Sequence, residues 1–224
     1  MKKQNYQKQL DLLLKQIENQ TRAVPVVQKP SLLLHACCGP CSSYVLEYLC
    51  NYFNITVFYY NPNIYPEDEY KRRLNELKDF YTKFPPVLNN HVCIIEEKYN
   101  PEDFYNAINI KNEPFLADEK EKGERCRRCY EFRLKKAYEY AVKNNFDYYC
   151  TTLSISPFKD ADKINTEGLK IAGNSQSDVK TKWLLSDFKK KNGFKRSLEL
   201  SEEYNLYRQQ YCGCIYSLKN NSEK

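Results

Sequence analysis

Residues 31–50 read SLLLHACCGPCSSYVLEYLC. Ser31 to Ala36 is a short apolar run without helical spacing, the pattern of a buried strand. Gly39 and Pro40 mark a tight turn. Ser42 to Cys50 has helical periodicity, with Ser42 or Ser43 available as N-cap. A buried strand that turns directly into a helix is the opening of an α/β unit.

The alternation continues outward in both directions. Before the stretch, Leu10, Leu13, Leu14 and Ile17 lie at helical spacing within residues 5–20, and Pro25 and Pro30 mark residues 21–30 as a connector. After it, strands are predicted at Ile55–Tyr60, Val92–Ile95, Asp147–Leu153 and Trp183–Leu185. Asn61-Pro62-Asn63-Ile64 reads as a turn and residues 111–125 as a loop. Helices are predicted at Pro66–Phe80, from Pro101 with acidic residues in its first turn, at Cys126–Val142, at 160–172 with Gly173 as the stop, and at Leu198–Tyr207. The tail after Leu218 reads as frayed. Strands alternating with helices predict a single α/β domain: a Rossmann-like parallel sheet with helices on both faces. Ligands of such sheets sit at the carboxyl ends of the strands.

At 224 residues the chain can bury a substantial core. It has no apolar run of membrane-spanning length, and its N-terminus, MKKQNYQKQLDLLLKQIENQ, is too polar for a secretory signal. The expected compartment is therefore cytoplasmic, where thiols are kept reduced. Clustered cysteines in that setting point to metal or redox chemistry. The net charge is +6, from 35 Lys and Arg against 29 Asp and Glu. That balance admits a nucleic-acid partner without requiring one.

Of the ten cysteines, Cys37, Cys38 and Cys41 follow the first predicted strand, Cys126 and Cys129 form a C-x-x-C at a helix start, and Cys212 and Cys214 form a C-G-C. Cys50, Cys93 and Cys150 fall inside apolar patterns and read as ordinary buried residues. The seven clustered thiols occupy turn and helix-start positions, where thiolates are stabilised. Neighbouring thiolates at these spacings can converge on an iron–sulfur or zinc centre. Adjacent Cys37 and Cys38 do not readily serve one ion, which favours two centres, or one centre plus a free thiol. Cys38-Gly39-Pro40-Cys41 also spells the active site of thioredoxin. Here Cys37 precedes it in place of Trp, and four further clustered cysteines exist. Three readings stay open on the residues alone: an iron–sulfur enzyme, a thiol–disulfide oxidoreductase, and a zinc-stabilised RNA-binding module.

The blocks L-H-A-C-C-G-P-C, Y-N-P-N-I with E-Y-x-x-R following, E-R-C-R-R-C, T-T-L-S-I-S-P-F-K and Y-R-Q-Q-Y-C-G-C, in this order over residues 31–218, resemble the QueH family of epoxyqueuosine reductases. The resemblance divides the chain into an N-terminal helical extension and connector (1–30), the shared reductase domain (31–218) and a tail (219–224). It implies a fold like that of the adenine-nucleotide hydrolases. The implied activity is the last step of queuosine formation, reduction of epoxyqueuosine to queuosine at the wobble position of tRNA. It further implies a [4Fe–4S] cluster with a second iron close by. Cys37, Cys38, Cys41, Cys126, Cys129, Cys212 and Cys214 stand at the metal-site positions; some family members carry Asp at the position of Cys41.

Epoxide reduction needs protons as well as electrons. Tyr207, Tyr211 and His35 are the candidate donors, with Arg208 placed to stabilise developing negative charge. No G-x-G-x-x-G follows a strand and no P-loop is present, so neither bound nicotinamide nor nucleotide hydrolysis is expected. Electrons would come from an external carrier such as a ferredoxin or flavodoxin. Lys111, Lys120, Lys122, Arg125, Arg127 and Arg128 flank the second cysteine pair and are candidate phosphate contacts, with tyrosines stacking on splayed bases.

Overall fold

The computed structural model describes residues 4–23, 28–173 and 179–222. Five strands, β1 (Ser31–His35), β2 (Asn54–Tyr59), β3 (Cys93–Glu96), β4 (Tyr148–Thr151) and β5 (Lys182–Trp183), form one sheet in the order β3-β2-β1-β4-β5. Every pairing is parallel, for example Leu34 with Val57 on one side and with Cys150 on the other. The first strand lies at the centre, so the order reverses between β1 and β4. That reversal opens a crevice at their carboxyl ends.

Side-chain alternation along the strands feeds two cores. Leu32, Leu34, Val57 and Tyr59 point to one face, beneath α1 (Tyr6–Ala23), α2 (Gly39–Leu49), α3 (Glu67–Tyr81) and α8 (Gly193–Glu203). Leu33, Phe58 and Tyr149 point to the other, beneath α6 (Glu124–Lys143) and α7 (Ala161–Gly173). Three short helices complete the described residues: α4 (Pro85–Asn89), α5 (Pro101–Ile108) and α9 (Ile215–Ser222). The N-terminal helix shares the first core. Leu10, Leu14 and Ile17 are buried in it, and Asp11 accepts hydrogen bonds from Tyr48 Oη at 2.9 Å and Lys191 Nζ at 2.7 Å. Residues 24–27 of the expected connector lie outside the described residues.

Several boundaries differ from expectation. Helix α2 starts at Gly39, because Cys38 is extended and Pro40 occupies the first turn, where its missing N–H costs nothing. Ser42 and Ser43 therefore do not cap; their hydroxyls donate back to the carbonyls of Gly39 and Pro40. Helix α8 ends at Glu203, leaving Tyr207 outside it. The 111–125 loop contains a 3₁₀ turn at Pro114–Ala117, and α9 carries the tail through Ser222 instead of fraying at Leu218. Cys93 is exposed, not buried: β3 is an edge strand, and an edge covers less of each side chain. Cys50 and Cys150 are buried.

Helix α7 reaches the sheet through Gly168. A Cβ there would lie 2.3 Å from the Trp183 ring, and the Gly168 carbonyl accepts from Tyr149 Oη at 2.6 Å. Gly168→Ala is expected to cost about 1–3 kcal/mol through overpacking. Gly173→Ala, where the added methyl meets nothing within 4 Å, should stay within about 0.5 kcal/mol. Urea denaturation of both variants checks this contact, and equal midpoints would refute it.

Candidate metal centre

The cysteines gather at the carboxyl edge of the sheet. Cys37 and Cys38 follow β1, and Cys41 lies in the first turn of α2. These three sulfurs all lie within 4.8 Å of one another, with Cys37 Sγ and Cys38 Sγ 3.9 Å apart. The N-terminal end of α2 favours negative charge there. Hydrogen bonds from Cys38 and Cys41 hold the Cys37 thiol well below its ordinary range, with Arg133 and His35 adding to the effect against burial. The same bonding pushes Cys38 up to about 12 and Cys41 well above the ordinary range.

The other four cysteines line one pocket with Phe104, Arg125, Tyr130 and Lys159. Cys126 and Cys129 sit in the first turns of α6, whose start is built by Glu119: its carboxylate accepts from the N–H groups of Glu124 and Arg125, each at 2.7 Å. Cys212 and Cys214 are turned inward around Gly213, whose φ of +123° suits a residue without a Cβ. Arg73, fully buried, holds this loop by pointing Nη1 and Nη2 at the carbonyls of Cys212 and Tyr211, at 3.4 and 3.5 Å. Cys37, Cys38 and Cys126 belong to one buried apolar cluster, and Cys129 and Cys214 to another.

Buried cations accompany the sulfurs. Arg133 places Nη1 3.8 Å from Cys129 Sγ and donates from Nη2 to Asn61 Oδ1 at 2.6 Å, while Asn61 Nδ2 donates to the Ala36 carbonyl at 2.8 Å. Lys159 is buried with its ammonium on Cys212 Sγ, and it forms no ion pair with a carboxylate among the described residues. Burial alone would lower its proton affinity; the sulfurs of Cys212 and Cys126, with the Tyr130 hydroxyl, outweigh that and hold it well above the ordinary range. Cys212 is held well below its ordinary range by hydrogen bonding to Cys214 and by Lys159. Burial, then Cys212, pushes Cys126 up to about 11, and burial raises Cys129. Isolated buried cations are costly unless paired, so this arrangement anticipates anionic sulfur.

The donor set fits an iron–sulfur group. It is all sulfur, with no imidazole competing: the nitrogens of His35 are taken by Thr151 Oγ1 at 2.8 Å and the Tyr60 carbonyl at 3.2 Å. Among the described residues, several buried polar atoms beside the sulfurs have no hydrogen-bond partner, namely Tyr130 Oη, Gln209 Oε1, Arg133 Nε, and Arg125 Nε and Nη2, which leaves them available to a bound group. Gln209 also donates from Nε2 to Cys38 Sγ at 3.1 Å.

The proton-donor candidates are placed less favourably. His35 is buried within the sheet, where burial, with Arg133 nearby, lowers its pKa to about 3. Arg208 turns away to α8, donating to the Ser197 carbonyl and to Ser201 Oγ, and so does not face the sulfurs. Tyr211 Oη donates to the Tyr65 carbonyl at 2.5 Å. Tyr207 Oη lies 3.3 Å from both carboxylate oxygens of Glu69, with Arg72 over its ring. The residues that sequence reasoning passed over are Arg73, Arg133, Lys159 and Gln209. Three of these stand inside the quoted blocks: Arg73 closes E-Y-x-x-R, Lys159 closes T-T-L-S-I-S-P-F-K, and Gln209 lies in Y-R-Q-Q-Y-C-G-C.

A family model described as "Epoxyqueuosine reductase QueH" matches residues 32–220. The Epoxyqueuosine reductase QueH of Streptococcus pyogenes serotype M1 is 44% identical over 191 residues, covering 85% of this chain and 71% of its own length. That of Staphylococcus aureus strain Mu50 is 38% identical over 213 residues, covering 95% and 83%. Among solved structures, the U34-tRNA thiolase NcsA from Methanococcus maripaludis, with its [4Fe–4S] cluster, aligns at a TM-score of 0.40 and 14% identity over 96% of this chain and 70% of its own, a distant likeness from which no assignment is made. With a match across the whole α/β body and relatives this similar over most of their length, the chain belongs to the QueH family of epoxyqueuosine reductases.

Proposed function

We propose that this protein reduces epoxyqueuosine to queuosine at the wobble position of tRNA, in the cytoplasm, drawing electrons from an external carrier such as a ferredoxin or flavodoxin. The observation that carries the reading is a pair of thiol groups, Cys37, Cys38 and Cys41 within 4.8 Å of one another and Cys126, Cys129, Cys212 and Cys214 lining one pocket, with buried Arg133 and Lys159 against two of the sulfurs, in a chain of this family. No described helix is long and apolar enough to cross a membrane.

Turning an epoxide into an alkene consumes two electrons and two protons and releases the oxygen as water. When bound, a [4Fe–4S] cluster with a second iron nearby supplies single electrons and an iron able to accept oxygen. Cys37, Cys38 and Cys41 would hold one part of it, and Cys126, Cys129, Cys212 and Cys214 the rest. Arg133 and Lys159 offset the thiolate charge, while Gln209 and the Arg73-held loop fix the sulfurs in place. Tyr207, backed by Glu69, is the phenol we favour as proton donor on the 207–214 segment.

The thiol–disulfide reading fits poorly. Cys38, which would be the attacking sulfur of C-G-P-C, is fully buried, whereas an attacking thiol must be accessible. The deciding measurement is conversion of epoxyqueuosine to queuosine in digests of tRNA treated with anaerobically loaded protein. Absence of product despite iron and sulfide in the protein would sink the reductase reading.

The phosphate contacts expected on α6 change. Arg125 is buried, donating to the Leu116 and Ala117 carbonyls. Arg127 is paired with Glu124, Glu131 and Glu167 at 2.7–2.8 Å, and Arg128 with Glu113 and Glu124 at 2.7 and 3.0 Å. Cations committed to carboxylates release few counterions from a phosphate backbone. Arg127→Ala and Arg128→Ala should therefore change tRNA affinity less than about threefold and leave its salt slope unaltered. A steep loss in titrations between low and moderate salt would restore them as phosphate contacts.

A further inference from the structure

The chain has 20 tyrosines, 11 phenylalanines and one tryptophan, and only three of these side chains are exposed: Tyr65 at 41%, Phe115 at 66% and Phe158 at 66%. All three sit on segments tied to the sulfur site. Tyr65 N donates to the Gly213 carbonyl at 2.8 Å, between Cys212 and Cys214. Phe158 immediately precedes Lys159, whose ammonium meets Cys212 Sγ. Phe115 precedes the Leu116 and Ala117 carbonyls that hold Arg125, a residue lining the pocket of four cysteines. The other exposed large apolar side chains, Leu12, Leu88, Leu169 and Leu198, are all leucines on the solvent faces of helices α1, α4, α7 and α8. Exposed aromatic rings thus fall on segments tied to the site, while the exposed aliphatic ones lie on helix faces.

We propose that Tyr65, Phe115 and Phe158 form a stacking rim for the unpaired bases of a single-stranded RNA loop, holding the nucleotides beside the one delivered to the sulfurs. Rings left in water next to a reactive centre match the way proteins read single-stranded RNA, by stacking on splayed bases. Charge at the rim is mixed. Lys120 and Lys122 are exposed on the loop between Phe115 and α6, with Lys122 Nζ 3.3 Å from the Pro157 carbonyl, one residue from Phe158. On that loop Glu119 is engaged by backbone N–H groups of α6 and Glu121 by Ser217 Oγ at 2.7 Å, while Asp118, and Glu67 and Asp68 near Tyr65, are exposed. With Arg127 and Arg128 committed to carboxylates, stacking carries more of the recognition than phosphate pairing does.

The inference rests on the tRNA reading given above, and its test separates the two. Loaded protein is titrated with a labelled anticodon stem–loop of a queuosine-accepting tRNA, and with a fully paired RNA hairpin of equal length. Phe158→Ala and Tyr65→Ala should each weaken stem–loop binding about tenfold, with the salt slope and iron content unchanged. Phe158→Trp should retain affinity, and the paired hairpin should not distinguish the variants. In turnover the alanine variants should raise KM while largely keeping kcat. Normal stem–loop affinity in the alanine variants, or equal loss on loop and paired hairpin, overturns the rim. Failure of the reductase reading shows separately, as absence of epoxyqueuosine turnover by the unsubstituted protein.

Discussion

Replacing Cys41 with Ala is expected to remove most of the bound iron and nearly all epoxide reduction, whereas Cys41→Asp should keep a share of both. The three sulfurs at 37, 38 and 41 lie within 4.8 Å of one another, so the loss of one opens a gap in a compact donor set. A carboxylate can still bind iron at that position. A resolving cysteine would behave otherwise, because Asp and Ala are equally unable to form a mixed disulfide. Iron, acid-labile sulfide and queuosine formation are measured on the same samples. Equal and complete loss of turnover in both variants, with iron retained, would remove Cys41 from the ligand set.

The second large effect belongs to Lys159. Lys159→Met keeps much of the side-chain volume but deletes the ammonium that meets Cys212 Sγ. Groups that hydrogen-bond metal ligands typically contribute about 10- to 100-fold in metal affinity or activity. Iron retention in a chelator challenge should fall by about that factor, and the reduction midpoint of the loaded protein should move to more negative potential, since the added electron loses a neighbouring positive charge. Lys159→Arg should recover part of both. An unchanged midpoint and unchanged iron retention in the Met variant would reduce Lys159 to a packing residue.

The alternation of strands and helices was legible because the inner strands are apolar, aromatic or β-branched runs and most long helices carry apolar residues at helical spacing. Its edges were less so. Cysteine is not a capping residue, so nothing in the letters announced that Cys38, ahead of Gly39 and Pro40, would stand at the N-cap of α2 in place of Ser42. Sheet order is a tertiary property, which is why exposed Cys93 resembled buried Cys150 in sequence. The clustered thiols could be grouped by spacing, but the cations among them could not. Arg133 and Lys159 look like surface charge until the fold brings distant sulfurs beside them. Arg127 and Arg128 show the reverse, standing as free cations in the sequence but paired in the fold. Glu124 and Glu131 stand at helical spacing from them, yet Glu167 arrives from α7 and Glu113 from the preceding loop.

The separation of the sulfurs along the chain also bears on how the site is assembled. Arg73 from α3 holds the C-G-C loop by its backbone carbonyls, Arg133 from α6 meets Cys129 and donates to Asn61, and Lys159 meets Cys212. Most of these contacts join segments distant in sequence, so no single strand–helix unit presents the complete donor set. The metal site is therefore completed only when the tertiary fold is, and local opening of the C-G-C loop leaves the paired strands in place while stripping Arg73 and Lys159 of their partners in that loop.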